Sequence, residues 1–239
     1  MKRIFTIGFL SVIIFTSFSA SAQLKSYVSL YGGFSTPVGT YGSNDYKNNQ
    51  SGFANRGVSI GVDGAVYIHK NLAIGYIFSF QDQGKLNFNN TYLLAQGYTT
   101  SYNADETTVN AYDRFHNWNL LVGPQYSFTY KDFILDLRAS AGVVDVTSTP
   151  ETQIVLTGIE QQPDAFYQRR SHGYSFGYGG SAGLRYKLSD NWSFGIKAAY
   201  ISADGTKVNV DGLNYQRGRL VTKIPIREFQ TTAGFSVSF

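Results

Sequence analysis

Apolar and polar residues alternate with a period of two along most of this chain. Residues 229–239 are the clearest case, because Phe229, Ala233, Phe235, Val237 and Phe239 share one parity. Successive side chains of an extended strand point to opposite faces, so this pattern predicts a strand with one apolar and one polar face. Seven other segments alternate in the same way, which predicts eight strands in all. The other seven are residues 26–35, 57–68, a strand that begins at Leu72, and residues 116–128, 133–144, 173–186 and 192–201.

The connections between these strands alternate in length. Three are tight turns at residues 68–71, 130–132 and 188–191, and four are long polar loops at residues 36–56, 81–115, 145–172 and 202–222. An even number of strands with short turns at one end and long loops at the other is typical of up-and-down barrels that cross a membrane. The pattern therefore predicts long loops outside the cell and short turns in the periplasm.

The composition of the two faces indicates which one points outward. The polar face carries mostly glycine, serine and charged residues, and these residue types do not form a dry core. A soluble barrel or sandwich buries its apolar face, which here would leave tryptophan, tyrosine and phenylalanine in water. In hydrocarbon a closed sheet pairs every backbone group, and about 9–11 residues per strand are enough to cross. We therefore predict that the apolar face contacts lipid.

The beginning of the chain has the layout of a secretory signal peptide. Lys2 and Arg3 precede an apolar run over residues 4–18, and residues 20–22 form a small-x-small cleavage site. The prediction is a signal peptide at residues 1–22 and a barrel domain at residues 23–239. The chain has no cysteine, which excludes disulfides and a lipid-modified cysteine. The apolar run over residues 4–18 is too short for a good membrane anchor, and no other segment has eighteen uninterrupted apolar residues, so no spanning helix is expected.

These features together resemble the small outer-membrane β-barrels of Gram-negative bacteria, the OmpA-like and OmpX-like barrels. The resemblance rests on the signal peptide, the eight alternating strands, the alternating connections and the terminal Phe239. It implies an all-β, transmembrane, antiparallel up-and-down barrel in the outer membrane, and a monomer. It also implies that Phe239 is the signal read by the barrel-assembly machinery. Members of this family serve as envelope structural proteins, adhesins, surface-binding proteins and, less often, enzymes.

Composition narrows the function only a little. The net charge is +4 and falls to about +2 without Lys2 and Arg3, and the basic residues do not cluster, so nucleic-acid binding is not expected. No P-loop, zinc spacing or dinucleotide fingerprint occurs, so we expect no cofactor and no metal. The external loops combine tyrosine with serine, asparagine and glycine, a mixture that suits adaptable recognition of an extracellular protein or glycan. Strand-end aromatics, among them Phe115, Trp118 and Tyr174 on the external side, predict interfacial girdles.

Parity places six charged residues inside the barrel. They are Asp63, Asp136, Arg138, Arg185, Lys197 and Glu228. An eight-stranded barrel is just wide enough to be filled by side chains, and buried charges persist only when they are paired. We therefore predict a salt-bridge network of three acids and three bases in the periplasmic half, with Glu228 higher. Two roles are open for this network: it fills the lumen as a structural element, or it forms a narrow path for ions.

A second polar cluster is predicted on the outside of the barrel at its external rim. It consists of Arg114, His116, Asp145, Arg170 and His172. Neighbouring strands lie about 4.8 Å apart, so both imidazoles are within reach of Asp145. Such a cluster can bind lipopolysaccharide phosphates or a divalent cation. It can also belong to a lipid A-modifying hydrolase or acyltransferase. The third alternative is that these are ordinary polar side chains at the membrane boundary, without a function of their own. No serine has a convincing place beside either histidine.

The function expected from the sequence is that of an integral outer-membrane barrel without enzymatic activity. Its lumen is filled by side chains, and its long loops support the envelope or bind a surface partner. The alternatives are a lipid A-modifying enzyme and a narrow ion channel. The expected partners are outer-membrane lipids, lipopolysaccharide, the assembly machinery and an extracellular protein or glycan.

Overall fold

A computed structural model describes residues 24–159, 165–207, 210–211 and 223–239. The predicted signal peptide lies outside these residues. The elements in chain order are β1 (Tyr27–Pro37), β2 (Gly57–His69), β3 (Leu72–Gly84), α1 (Phe88–Tyr102), β4 (Glu106–Ala111), β5 (Phe115–Tyr130), β6 (Phe133–Thr149), β7 (Thr152–Thr157), β8 (Ala165–Gln168), β9 (Ser171–Lys187), β10 (Trp192–Ala203), β11 (Val210–Asp211) and β12 (Ile226–Ser238).

Eight of the described strands close into one antiparallel barrel, as the alternation predicts. Their order around the barrel is β1, β12, β10, β9, β6, β5, β3 and β2. The first and last strands close the sheet, with Val28 opposite Val237 and Phe34 opposite Thr231. The amide of Phe239 donates to the carbonyl of Ser26 (2.9 Å), which holds the end of the chain at the short-turn rim. Recognition of Phe239 during assembly stays a prediction.

The outer wall of the barrel is apolar. Along β1 and β9, for example, Leu30 is 72% exposed and Phe176 is 67% exposed, whereas their neighbours on the other face turn inward. A continuous apolar wall of this extent is unfavourable in water and favourable against acyl chains. A closed sheet also leaves no unpaired backbone edge in the hydrocarbon. The chain is therefore a transmembrane β-barrel of the outer-membrane type, and its place is the bacterial outer membrane.

The second and third long connections, predicted as long polar loops, contain regular secondary structure. Within the described residues they form α1, β4, β7 and β8, and these three strands join β11 of the fourth connection in a separate four-stranded sheet in the order β11, β8, β7, β4. We call α1 and this sheet, with the segment 38–56 that packs on them, the cap. The side chain of Asn87 caps α1 by accepting from the amide of Asn90 (2.7 Å), and Asn103 ends it in the left-handed conformation. In the described part of the chain, no helix has the length and apolar character needed to cross a bilayer.

The cap has an apolar core of its own. Its buried members are Phe53, Leu94, Tyr98, Ile154, Leu156 and Phe166, which come from the segment 38–56, from α1 and from the sheet. Tyr46 packs edge-on against Tyr98, with ring centroids 5.0 Å apart, at a place where Gly97 leaves room for its ring. Because three separate connections contribute to one core, the cap is a folded unit and not a set of independent loops.

A second apolar cluster fills the external mouth of the barrel. Its larger members are Tyr41, Phe115, Leu121, Val144, Val146, Ile201, Ile224 and Ile226, all of them buried. Phe115 is thus an inward-facing core residue, and its predicted place in the external girdle was wrong, because it shares the inward parity of Leu121. Burial raises the pKa of the Tyr41 phenol well above its usual range. We call this cluster the apolar plug.

Candidate functional site

Ion pairs fill the periplasmic half of the lumen. Arg138 Nη1 lies 2.7 Å from Asp63 Oδ2, Lys197 Nζ lies 3.2 Å from the same oxygen, and Arg185 Nε lies 2.6 Å from Asp136 Oδ2. Two acids therefore meet three bases in one layer. The side chains of all five residues are nearly inaccessible to solvent, so the charges depend on one another for compensation.

Neutral groups complete this charged layer. Arg138 also donates to the hydroxyl of Tyr27 (3.2 Å) and to the carbonyl of Tyr76 (3.0 Å). The guanidinium of Arg185 lies over the ring of Tyr27, 3.6 Å from its centroid. Hydrogen bonds and cation–π contacts satisfy donors that the carboxylates do not reach, which is the condition for burying several charges together.

Glu228 does not belong to this network, contrary to the prediction. Its carboxylate, fully buried, accepts from Ser35 Oγ (2.8 Å), Gln83 Nε2 (3.1 Å), Asn119 Nδ2 (3.1 Å) and Gln230 Nε2 (2.9 Å). All four described partners are neutral. The reason is register: the inward position nearest to the bases on β12 is opposite Lys197, four residues beyond Glu228, and four residues of strand span about 13 Å.

The structure divides the predicted rim cluster into three groups. Arg114 donates to the carboxylate of Asp82 through Nη2 (2.9 Å) and Nε (3.1 Å). Arg170 contacts Asp113 (3.2 Å), and its Nη2 lies 2.9 Å from His116 Nε2.

The third group is His172 with Asp145, whose Nε2 and Oδ1 atoms are 3.3 Å apart. The expectation that both imidazoles approach Asp145 was therefore wrong for His116. The cross-strand neighbour of Asp145 on β5 is Trp118, whereas His116 lies opposite Asp82 on β3. The rim residues form local pairs on adjacent strands and do not converge on one centre.

The chemistry available to His172 is limited. The hydroxyl that the structure places beside its other ring nitrogen is Thr147 Oγ1, at 3.4 Å from Nδ1, and Thr147 is completely buried. A nucleophile must be reachable by its substrate, and this hydroxyl is not. Among the described residues, no group of three or more His, Cys, Asp or Glu side chains is arranged to hold a metal ion.

A polar row that the sequence reasoning missed crosses the outer face of the cap sheet. Gln153 Oε1 accepts from the Tyr112 hydroxyl (2.6 Å), and Gln153 Nε2 donates to the Tyr167 hydroxyl (2.8 Å). The apolar run Ile154-Val155-Leu156 between Gln153 and Thr157 was the signal for β7. Beside the row lies an open cavity of about 500 Å³, lined by Glu151, Tyr167, Arg169 and Arg170.

An aromatic pair lies on the exposed face of α1. Phe88 is 86% exposed and Tyr92 is 52% exposed, and their rings are nearly parallel (12°) with centroids 6.4 Å apart. Gln96 Nε2 donates to the Tyr92 hydroxyl (2.7 Å), which fixes the ring. The opposite face of α1 carries Leu94 and packs into the cap core, so the aromatic pair points away from the protein.

Comparison with known proteins gives likeness in structure only. No protein-family model matches the chain, and no curated protein matches it in sequence. Neisserial surface protein A is 14% identical, with a TM-score of 0.47 over 90% of this chain and 97% of its own. Ail, the attachment invasion locus protein of Yersinia pestis, is 11% identical, with a TM-score of 0.44 over 89% of this chain and 99% of its own. The N-terminal β-barrel domain of Pseudomonas aeruginosa OprF is 14% identical, with a TM-score of 0.35 over 92% of this chain and 100% of its own.

Proposed function

We propose that this outer-membrane barrel has no enzymatic activity and that its cap binds a partner outside the cell. The observation that carries the proposal is the construction of the cap. Three long connections share one core and present the pair Phe88 and Tyr92 on a fixed helix. Rigid aromatic side chains on a well-packed support give large contact area at a low entropic cost, which is what recognition of a protein or glycan requires.

The lumen supports a function outside the barrel. The charged layer and the apolar plug lie at different heights, and the Glu228 cluster lies between them. A narrow channel needs a continuous polar path, and the plug contributes buried apolar side chains instead. We expect planar-bilayer recording of the refolded protein to give no stable conductance; reproducible single-channel steps would contradict a closed lumen.

The absence of catalysis is the second part of the proposal. Its support is the position of Thr147, the hydroxyl beside His172, which solvent does not reach. Mass spectrometry of lipid A from otherwise identical cells with and without the gene is the direct test. We expect the same acyl and phosphate pattern in both, and a species found only in the expressing cells would refute the proposal.

Partner binding is tested with the refolded full-length barrel in detergent micelles. The probes are a glycan array and a panel of purified extracellular-matrix and serum proteins. The test variant is Phe88→Ser/Tyr92→Ser, and the matched control is Tyr112→Ser/Tyr167→Ser, which also removes two exposed aromatic rings from the cap. We expect the test variant to lose at least tenfold in affinity for any bound probe and the control to bind as the wild type. Equal binding by both variants would show that the α1 face is not the recognition surface.

A further inference from the structure

A cavity of about 40 Å³ lies beside the charged layer in the periplasmic half of the lumen. It is bordered by three inward-facing glycines on neighbouring strands, Gly183 on β9, Gly195 on β10 and Gly234 on β12. A methyl group built on Gly183 would meet no atom beyond its chain neighbours closer than 3.6 Å, so the space beside this position is open. About 10–15 Å³ of such space holds one water molecule, so the cavity accepts a ligand no larger than roughly two or three waters.

The charged layer that borders this cavity has one more base than it has acids. Arg138 and Lys197 share Asp63, and Arg185 pairs with Asp136. All five residues line the cavity, and its other lining residues are neutral. Three bases and two acids therefore leave the layer with a formal charge of +1.

Glu228, the remaining carboxylate described in the lumen, is too distant to neutralise this charge. It lies four residues along β12 from the position opposite Lys197, which is about 13 Å, and it accepts hydrogen bonds from neutral donors. Coulomb energy falls with distance, so at 13 Å Glu228 supplies roughly a quarter of the attraction that an anion in contact at about 3 Å would supply.

Lys197 and Arg185 bring N–H donors to the cavity that have no acceptor among the described residues. Lys197 Nζ has three donors, and its contacts are Asp63 Oδ2 (3.2 Å) and the ring of Tyr31, 3.8 Å from the centroid. Arg185 uses Nε and Nη2 for Asp136, which leaves Nη1. The two bases are diagonal neighbours on β9 and β10, about 7–8 Å apart along the sheet. One small anion can therefore contact both.

Hydroxyl groups and an access route complete the site. Ser29 and Ser236 line the cavity with their hydroxyl oxygens 2.6 Å apart. One hydroxyl donates to the other, so the hydrogen of the second is available to a ligand. Arg185 also lines a larger cavity of about 620 Å³ at the periplasmic mouth, whereas the apolar plug closes the other end of the lumen. An ion therefore reaches the site from the periplasm.

We propose that this cavity binds one small monovalent anion, of which chloride is the common example, between Lys197 and Arg185. The charge of +1 calls for a single negative charge, and the size of the cavity excludes organic phosphates and carboxylates. The bound anion brings the layer to a formal charge of zero and accepts from the ammonium and the guanidinium. This site lies in the lumen and is independent of partner binding by the α1 face.

The test is the dependence of barrel stability on chloride. The refolded full-length protein in vesicles of neutral lipid is unfolded in urea and followed by tryptophan fluorescence. Sodium concentration and ionic strength are held constant while gluconate, which is too large for the cavity, replaces chloride. For a site half filled at about 10 mM, raising chloride from about 2 to about 200 mM should increase the ratio of folded to unfolded protein about tenfold or more. Equal stability in chloride and gluconate would show that the cavity holds water alone, and it would overturn the proposal.

Two variants and one control locate the anion. Lys197→Met removes the extra positive charge and keeps both arginine–aspartate pairs, and Gly183→Val fills the cavity without changing any charge. We expect chloride to change the folded-to-unfolded ratio of each variant less than about twofold. The control Gly180→Ala, on the lipid-facing side of β9, should respond to chloride as the wild type does. A response of wild-type size in either folded variant would place the anion elsewhere and refute the site.

A direct measurement on the wild type does not depend on the folding of any variant. Crystals of the full-length protein grown with bromide in place of chloride are measured at the bromine absorption edge. We expect an anomalous difference peak between Lys197 and Arg185. Bromide peaks confined to the outer surface would overturn the proposal.

Discussion

Replacing Arg185 with leucine should destabilise the barrel more than replacing Arg138 with leucine. Asp136 faces Arg185 at 2.6 Å, and its other described partners are Ser127 and Gln125, which are neutral. The substitution therefore strands a buried carboxylate without a base. Removing one partner of a buried pair costs about 3–5 kcal/mol of unfolding free energy, and we expect the upper part of that range here.

Arg138→Leu is the internal comparison. Asp63 loses Arg138 but keeps Lys197 at 3.2 Å, so its charge stays compensated. We expect a cost nearer to about 3 kcal/mol, at the lower end of the same range. The double variant Asp136→Leu/Arg185→Leu removes both charges together and should recover most of the loss, because an apolar pair of similar volume often replaces a buried ion pair without net cost.

Urea unfolding of the refolded barrels in lipid vesicles measures these differences. The chain has two tryptophans, and Trp118 and Trp192 lie on opposite ends of the barrel wall, so fluorescence reports both ends. The unfolding free energy should decrease in the order wild type, double variant, Arg138→Leu, Arg185→Leu. An unfolding free energy of Arg185→Leu within about 0.5 kcal/mol of the wild type, or a double variant no better than Arg185→Leu, would refute it.

Three further predictions concern the other layers and the cap. Glu228→Leu removes the acceptor that Ser35 Oγ and Gln230 Nε2 share with Gln83 and Asn119, and the latter two keep other acceptors. The substitution should cost at least about 2 kcal/mol of unfolding free energy, whereas Glu228→Gln, which keeps one carbonyl oxygen, should cost about half as much. Gly97→Ala places a methyl group against the Tyr46 ring and should speed proteolysis of the cap without changing barrel unfolding; unchanged cap proteolysis would contradict this packing. Gly75→Ala drives a methyl group into Arg138 and should destabilise the barrel in urea, while the control Gly180→Ala, where the nearest atom is a carbonyl oxygen at 3.6 Å, should not.

The barrel itself was predictable because a single physical rule governs each strand. A strand that separates lipid from a narrow lumen must alternate, so residues such as Leu120 and Leu121 differ in face by parity alone. The same rule assigned Asp63, Asp136, Arg138, Arg185 and Lys197 to the interior. Partners within the lumen depend on register between strands, which parity does not give, and Glu228 was for that reason placed with bases that it does not reach.

The cap was not predictable in the same way because it combines a helix with short strands, and no single periodicity runs through its segments. Helix α1 is flanked by Asn87 and Asn103 and has apolar residues spaced by four at Leu94 and Tyr98, which were available signals. These signals are weak against a background of serine, threonine and asparagine. The packing of Phe53 on α1 also joins residues far apart in sequence, and no local pattern contains that information.

The arrangement of the lumen explains why the external surface is the place to look for function. Glu228 receives donors from β1, β3, β5 and its own strand β12, and Gln83 in that set also accepts from Tyr41 of the apolar plug (2.8 Å). The Glu228 cluster therefore links the apolar plug to the barrel wall, and the ion pairs of the charged layer close the periplasmic half of the lumen. A solute crossing the barrel has to open both layers, and separating Asp63 and Asp136 from their bases costs several kcal/mol for each carboxylate. The α1 face needs no such opening, so binding at this surface is compatible with a barrel that stays closed.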